Sequence, residues 1–312
     1  MDNIRESGKK SGTSEAVYSY TVIVPHYNSY ELLLRLVKSI PLRKDIQLII
    51  VDDNSSKYSP SAERILRDTG RNAEVYCNPS KKHSAGSCRN VGLEHSNGKW
   101  LVFADADDCF SEDAFDIMDR YIEYSDDIIF FQTKSIRMPE YTEGTRNVRH
   151  ERVIREYLKS GRNEYILRYH CHFPWSKMIR SALVKRNNIR FDEVKYSNDV
   201  MFSVKCGVYA KKIRAVDCVV YYVTQMQGTL TTRKSFSEYK CRFDVFVDKY
   251  LFLKKELNRR DFRRYTEWPA GKIIRAIKMG YGLPMVRYIL KRYKECGIKI
   301  GFPTIYYFRD IV

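Results

Sequence analysis

Long apolar runs are missing from this sequence. No stretch approaches the roughly 20 apolar residues that a membrane-crossing helix needs. Met1 to Ser14 is polar and lacks the apolar run of a signal peptide. Paired cysteine motifs are missing too. The eight cysteines, at positions 77, 88, 109, 171, 206, 218, 241 and 296, are scattered, and none forms a Cys-x-x-Cys pair. They read as reduced thiols, and the expected location is the cytoplasm. Neither Gly-x-Gly-x-x-Gly nor the P-loop pattern occurs, which excludes nicotinamide enzymes and P-loop ATPases. Acids are outnumbered: 38 Asp and Glu against 55 Lys and Arg leave a net charge of +17. Such a chain is drawn to nucleic acid, an anionic membrane or phosphate-bearing substrates, and charge alone does not choose among them.

What is present starts with Lys99 to Phe110. Trp100 to Ala104 is an apolar run of strand length, and it ends on Asp105, Asp107 and Asp108. Asp is a poor strand residue, so the strand stops there. The carboxyl end of a buried strand is where open α/β sheets bind ligands. Three carboxylates this close repel one another unless a positive charge sits among them, and a hard divalent cation holding phosphate is the natural candidate. The same residues could make an ordinary polar turn whose last Asp caps a helix from Glu112 onward.

The remaining pattern places that stretch. Tyr20–Pro25 and Ile46–Val51 read as buried strands, Glu74–Cys77 as a third, and Ile128–Thr133 as one after the acid stretch. Between them, Leu33, Leu36, Val37 and Ile40 share one helical face, and Ser61–Asp68, Ser84–His95 and Asp113–Tyr124 read as helices. This β-α-β repetition predicts a mostly parallel sheet sandwiched by helices. Its strand ends carry Tyr27-Asn28, Asp52-Asp53 and the acid triplet, all on one rim. Residues 134 to 170 are polar with poor periodicity. Val200–Val208 reads as an apolar helix, Ile213–Thr224 as extended, and Gly228–Thr231 as a loop. From Phe236 onward the chain is helical, tyrosine-rich and basic.

These pieces in this order resemble the inverting family 2 glycosyltransferases, nucleotide-sugar enzymes of the GT-A, Rossmann-like fold. The resemblance covers about 20 to 231. It rests on Val22–Asn28, Ile49–Ser55, Ser84–Leu93, Gly98–Asp108, Trp175-Ser176-Lys177 and Asn198–Phe202. It divides the chain into a flexible arm (1–17), a transferase domain (18–231) and a helical basic C-terminal extension (232–312). Two positions depart from the family pattern: His26, and Asn198 where a second acid often precedes Asp199.

The resemblance implies roles at matching positions. Pro25, Tyr27, Asn28, Asp52, Asp53, Gly86, Arg89 and Asp107 would bind the donor nucleotide, with Tyr27 stacking on the base and Asp53 accepting a uracil N–H. Asp105, Asp107 and Asp108 would hold Mn²⁺ or Mg²⁺ against the leaving diphosphate. Asp199 would be the catalytic base, with Trp175 and Asn198 on the acceptor side. The bland alternatives stay open: a core tyrosine, a surface arginine, a helix cap at Asp199 and a core tryptophan. The implied reaction moves a sugar from a nucleotide-sugar donor, UDP-linked by the Asp53 argument, to a glycan or lipid-linked acceptor of capsule, lipopolysaccharide or exopolysaccharide type.

Two other functions fit parts of the sequence. Asp105-x-Asp107 after a strand is the pattern of haloacid-dehalogenase phosphotransferases, although that family places it on the first strand. The charge suits a nucleic-acid-binding protein, but no recognised RNA motif occurs, so no specific nucleic-acid partner is expected. His170-Cys171-His172 lacks further ligands at metal-site spacing and reads as alternation along a strand. In the tail, basic residues from Lys272 to Lys294 punctuate Ile273, Ile274, Ile277, Val286, Ile289 and Leu290. This pattern suits either peripheral binding to the inner, anionic face of a membrane or packing on the catalytic domain.

Overall fold

The computed structural model describes residues 18–56, 62–70, 73–160, 163–226 and 235–300. The expected flexible arm, the loop at 228–231 and the 231/232 boundary lie outside the described residues. Along these residues run β1 (Tyr18–His26), α1 (Tyr30–Ser39), β2 (Ile46–Asp52), α2 (Ala62–Thr69), β3 (Glu74–Cys77), α3 (Ala85–His95), β4 (Gly98–Phe103), β5 (Cys109–Phe110), α4 (Ala114–Asp119), β6 (Ile128–Arg137) and β7 (Thr142–Glu143). There follow α5 (Val148–Lys159), α6 (Tyr165–His170), β8 (Lys177–Arg180), α7 (Ser181–Arg186), α8 (Val200–Tyr209), β9 (Ile213–Gln225), α9 (Phe236–Glu256), α10 (Arg259–Tyr265), α11 (Pro269–Lys278) and α12 (Gly282–Glu295).

One nine-stranded sheet runs β3-β2-β1-β4-β8-β6-β9-β5, with β7 paired to β6. The alternation of side chains along each strand divides the core between its two faces. Val22, Val24, Trp100 and Val102 join one apolar cluster with Leu33, Leu36 and Val37 of α1. Ile23, Leu101 and Phe103 join the other, with α5, α7 and α8. Burial on both faces is why β1, β2 and β4 read as near-continuous apolar runs. Gly92 lets α3 lie against the sheet, since a Cβ there would stand 2.4 Å from Cγ2 of Ile23.

Pairing of β1 with β2 and β4, and of β2 with β3, is parallel. Beyond β4 the sheet is mixed: β8 runs antiparallel to both β4 and β6, while β6 is parallel to β9. The four-residue β8 is too short to announce itself in the sequence. The helix expected over Asp113–Tyr124 ends at Asp119. There the amides of Tyr121 and Ile122 bond the carbonyls three residues back, the tighter spacing of a 3₁₀ turn. The aperiodic stretch 134–170 contains α5 and α6. The buried row of α5 is His150, Val153, Ile154 and Tyr157, and a histidine opening it hides an otherwise regular helical spacing.

The C-terminal helices carry a third apolar cluster, in which Tyr239, Phe243 and Val247 of α9 meet Ala276, Met285, Ile289 and Tyr293. Buried Lys249 of α9 donates to Glu267 at 2.9 Å, and its Nζ lies 3.4 Å from Nε2 of His172. His170 and His172 end α6 and the loop after it rather than alternating on a strand. Their Nε2 atoms donate to Tyr265 O and Tyr169 O, both at 2.9 Å, so they serve the packing of the extension. No helix among the described residues is long and apolar enough to cross a membrane.

Candidate active site

Parallel pairing brings three strand ends to one rim. His26 is level with Asp52 across β1 and β2, and Ile23 is level with Phe103 across β1 and β4. Pro25 and His26 end β1; beyond them Tyr27 is 60% exposed. Asn28 turns the chain at φ 47°, a left-handed conformation that Asn tolerates. Its amide N–H donates to Ser55 Oγ at 2.9 Å and its Oδ1 accepts from Ser56 N–H at 2.8 Å, which fastens the β1 and β2 ends together. Asp52 is occupied locally: Ser55 donates its hydroxyl and amide to the carboxylate at 2.5 and 3.0 Å. Asp53 is buried, accepts from Asn78 Nδ2 at 2.6 Å and lies 3.4 Å from His83 Nδ1. Asn78 also donates to Ser87 on α3, so Asp53 is held between the sheet and that helix.

The acid stretch forms a tight turn after β4. Asp108 N–H donates to Asp105 O at 3.0 Å, and Asp105 N–H to the phenol oxygen of buried Tyr221 at 2.9 Å. One carboxylate oxygen from each of Asp105, Asp107 and Asp108 lies within 4.8 Å of the others. This is the single cluster among the described residues that could hold a metal ion. Asp108 is fully buried: its Oδ1 accepts from Thr224 N–H at 2.7 Å, while Oδ2 has no partner. Burial pushes Asp107 above the usual carboxylate range and Asp108 further still. Asp105 adds to both, Asp107 adds to Asp108, and Arg146 opposes the rise at both. An orphaned, buried carboxylate oxygen among like charges is costly alone and fits a divalent cation of oxygen preference.

Three arginines from separate segments bracket the acids. Arg89 of α3, almost fully buried, donates Nη2 to Asp105 at 2.5 Å and Nη1 to Asn198 at 2.9 Å. Arg146 lies 3.7 Å from Asp107 Oδ2 and donates to Thr224 O at 2.6 Å. Arg35 of α1 donates to Asp107 O and, at 2.6 Å, to Thr224 Oγ1. Arg35, Arg146, Thr224 and Tyr221 carry no local motif and were not expected at the site. The one signal for Arg35 is a cation on an amphipathic helix among apolar neighbours.

Arg89 also connects the acids to the residues before α8. Gly86, one turn earlier on α3, makes that approach feasible, because a Cβ there would sit 2.2 Å from Asp192 O and 2.8 Å from Asn198 Cβ. Asp199 stands at the N-cap of α8, but its side chain makes no capping hydrogen bond. Burial raises its pKa, Arg89 and Lys177 oppose the rise, and Asp105 adds to it. The sequence expectation that Trp175 walls the acceptor side meets a different placement. Trp175 is 4% exposed and stacks on Phe173 and Tyr221, at 4.6 and 5.8 Å between ring centroids. Its ring belongs to the apolar cluster that also holds Met178 of β8 and Tyr221 of β9.

Residues 21–186 match the family described as "Glycosyl transferase family 2". The chain belongs to glycosyl transferase family 2. The poly(ribitol-phosphate) beta-N-acetylglucosaminyltransferase TarS of Staphylococcus aureus is 26% identical to this chain over 219 residues. That alignment spans 67% of this chain and 36% of TarS, so the chain covers about a third of that relative's length. The crystal structure of S. aureus TarS 1–349 in complex with UDP-GlcNAc superposes with a TM-score of 0.62 at 22% identity, over 79% of this chain and 70% of that one. The mannosyltransferase PcManGT of Pyrobaculum calidifontis, solved with GDP-Man and Mn²⁺, gives 0.51 at 14% identity, over 94% and 84%. The fold is therefore of the GT-A kind, with a helical extension after the sheet. Asp105-x-Asp107 follows β4, the fourth strand in chain order, and not the first strand, where a haloacid-dehalogenase phosphotransferase carries its pair.

Proposed function

We propose that this family 2 protein is a metal-dependent inverting glycosyltransferase that moves a sugar from a UDP-linked donor to a hydroxyl of a surface-glycan acceptor. The observation that carries the reading is the Asp105-Asp107-Asp108 cluster, with its unpartnered Asp108 oxygen, on the rim shared with Tyr27 and Asp53. Tyr27 offers an exposed ring for stacking on a nucleotide base. Asp53, fixed by Asn78, offers a carboxylate that can accept a uracil N–H. Asp105, Asp107 and Asp108 would hold Mn²⁺ or Mg²⁺, which when bound neutralises charge on the departing diphosphate.

The acceptor half of the reaction falls to Asp199. Its carboxylate is not spent on capping α8, so it is available to take the acceptor's proton. The acceptor oxygen attacks the anomeric carbon opposite the diphosphate, its proton passes to Asp199, and UDP leaves. One displacement inverts the configuration. Asn198, tied to Arg89, holds the neighbouring backbone in place. Asp52 and Asn28 act by shaping the β1 and β2 ends, and Gly86 by allowing α3 to meet residues 192–198.

The acceptor reading draws on charge and kinship. The staphylococcal relative is named for poly(ribitol-phosphate), and a net charge of +17 suits an anionic polymer or a lipid-linked glycan. The eight free cysteines fit a cytoplasmic setting. The test is a thermal-shift screen of nucleotide sugars with Mn²⁺. A UDP-sugar at about a hundred times its Kd should raise Tm by roughly 5 °C, and EDTA should cut the rise by about half or more. No shift with any UDP-sugar, or an equal shift in EDTA, would contradict the proposal.

A further inference from the structure

The outer faces of α11 and α12 combine apolar and basic side chains, and the first acid along them is Glu295, the last residue of α12. Between Glu267 and Glu295 the sequence has neither Asp nor Glu. On α12, helical spacing separates two rows. Met285, Ile289 and Tyr293 are buried against α9. One face away, Leu283, Arg287, Leu290 and Lys294 follow one another at spacings of four, three and four, all exposed, with Leu283 at 67% and Leu290 at 43%. On α11, buried Ala276 faces the same cluster, while Ile274 and Ile277 are 45% and 59% exposed beside Arg275 and Lys278.

The structure thereby sorts the basic residues of the tail. Lys272 and Arg292 turn inward, to Glu267 and to Asp244 with Glu295. Arg275, Lys278, Arg287 and Lys294 remain on the outer face, next to the four exposed aliphatic side chains.

We infer that this face docks on the surface of an anionic phospholipid bilayer. Charge complementarity selects an anionic partner, and four solvent-exposed Leu and Ile side chains among the cations select a bilayer over a soluble polyanion. A polyanion gives no return for exposed leucines, whereas a bilayer interface takes up the apolar side chains while its headgroups meet the cations. The inference is independent of the reading of the catalytic rim, since no residue of that rim takes part.

The test is cosedimentation of the full chain with vesicles of phosphatidylglycerol and phosphatidylcholine, against vesicles of phosphatidylcholine alone. Point variants are the proper probe, because removing α11 and α12 would also strip buried Met285, Ile289 and Tyr293 from α9. Binding to the anionic vesicles should be at least tenfold tighter than to neutral ones. Leu283→Ser with Leu290→Ser, and separately Arg287→Glu with Lys294→Glu, should each weaken it at least fivefold at unchanged Tm. Leu42→Ser, at an exposed leucine after α1, should bind as the parent does. Parent-like binding by the serine double variant overturns the inference, as does equal binding to neutral vesicles. So does soluble polyphosphate binding that the serine double variant retains while vesicle binding is absent.

Discussion

Asp199 begins α8 without capping it, and that separates its chemistry from its contribution to stability. Asp199→Asn removes a base and no capping bond, so fold and UDP affinity should persist while transfer falls by about 10² to 10⁴, the usual value of general-base assistance. Calorimetric UDP titration beside transfer rate checks this; near-parent transfer would move the base elsewhere. Gly86 is the opposite case, a residue with no chemistry and a geometric duty. Gly86→Ala places a methyl 2.2 Å from Asp192 O and 2.8 Å from Asn198 Cβ. The strain should cost about 1–3 kcal/mol and should shift Asn198 and Asp199 away from Arg89. Tm and transfer should therefore fall together, where Asp199→Asn lowers transfer alone.

At the scale of elements, legibility followed burial and chain locality. β1, β2 and β4 were readable because parallel strands buried on both faces leave unbroken apolar runs that end abruptly in polar residues. Asp105, Asp107 and Asp108 were readable because they are contiguous. Arg146 and Thr224 were not, since Thr224 comes to Asp108 through the β5–β9 pairing, and Arg146, from the loop before α5, reaches Asp107 while bonded to Thr224 O. α5 escaped because its buried row opens with His150, whose imidazole burial keeps neutral, with its pKa held down to about 3. Trp175 shows a related limit: an aromatic in a family motif serves core packing or a ligand wall equally well until its neighbours are known. In the tail the apolar residues were visible but not the face each occupies. Ile289 is fully buried and Leu290 is 43% exposed. Ile289→Ala should thus cost about 2–5 kcal/mol, and Leu290→Ala less than about 0.5 kcal/mol. Chemical denaturation measures both, and equal costs would contradict the register of α12.

For the whole molecule, the acid cluster ties stability to pH and metal. A carboxyl whose pKa is raised on folding stabilises the fold while protonated. That contribution is complete below the unfolded value near 3.8 and is lost as pH rises through the raised native value. Asp108→Asn keeps an oxygen for Thr224 N–H and removes the titration. In EDTA, the Tm of the parent relative to Asp108→Asn should therefore fall as pH rises from the ordinary carboxylate range toward neutrality. Mn²⁺ at neutral pH should restore the parent and leave the variant unmoved. A parent-minus-variant difference independent of both pH and Mn²⁺ would remove the cluster from the metal role.

The binding of UDP itself tests the central claim most directly. Calorimetric titration of UDP into the full chain should give measurable affinity with Mn²⁺, at least a tenfold loss in EDTA, and a comparable loss in Asp108→Asn with Mn²⁺ present. Equal UDP affinity with and without the metal, or in the parent and Asp108→Asn, would contradict a nucleotide-sugar site built on Asp105, Asp107 and Asp108.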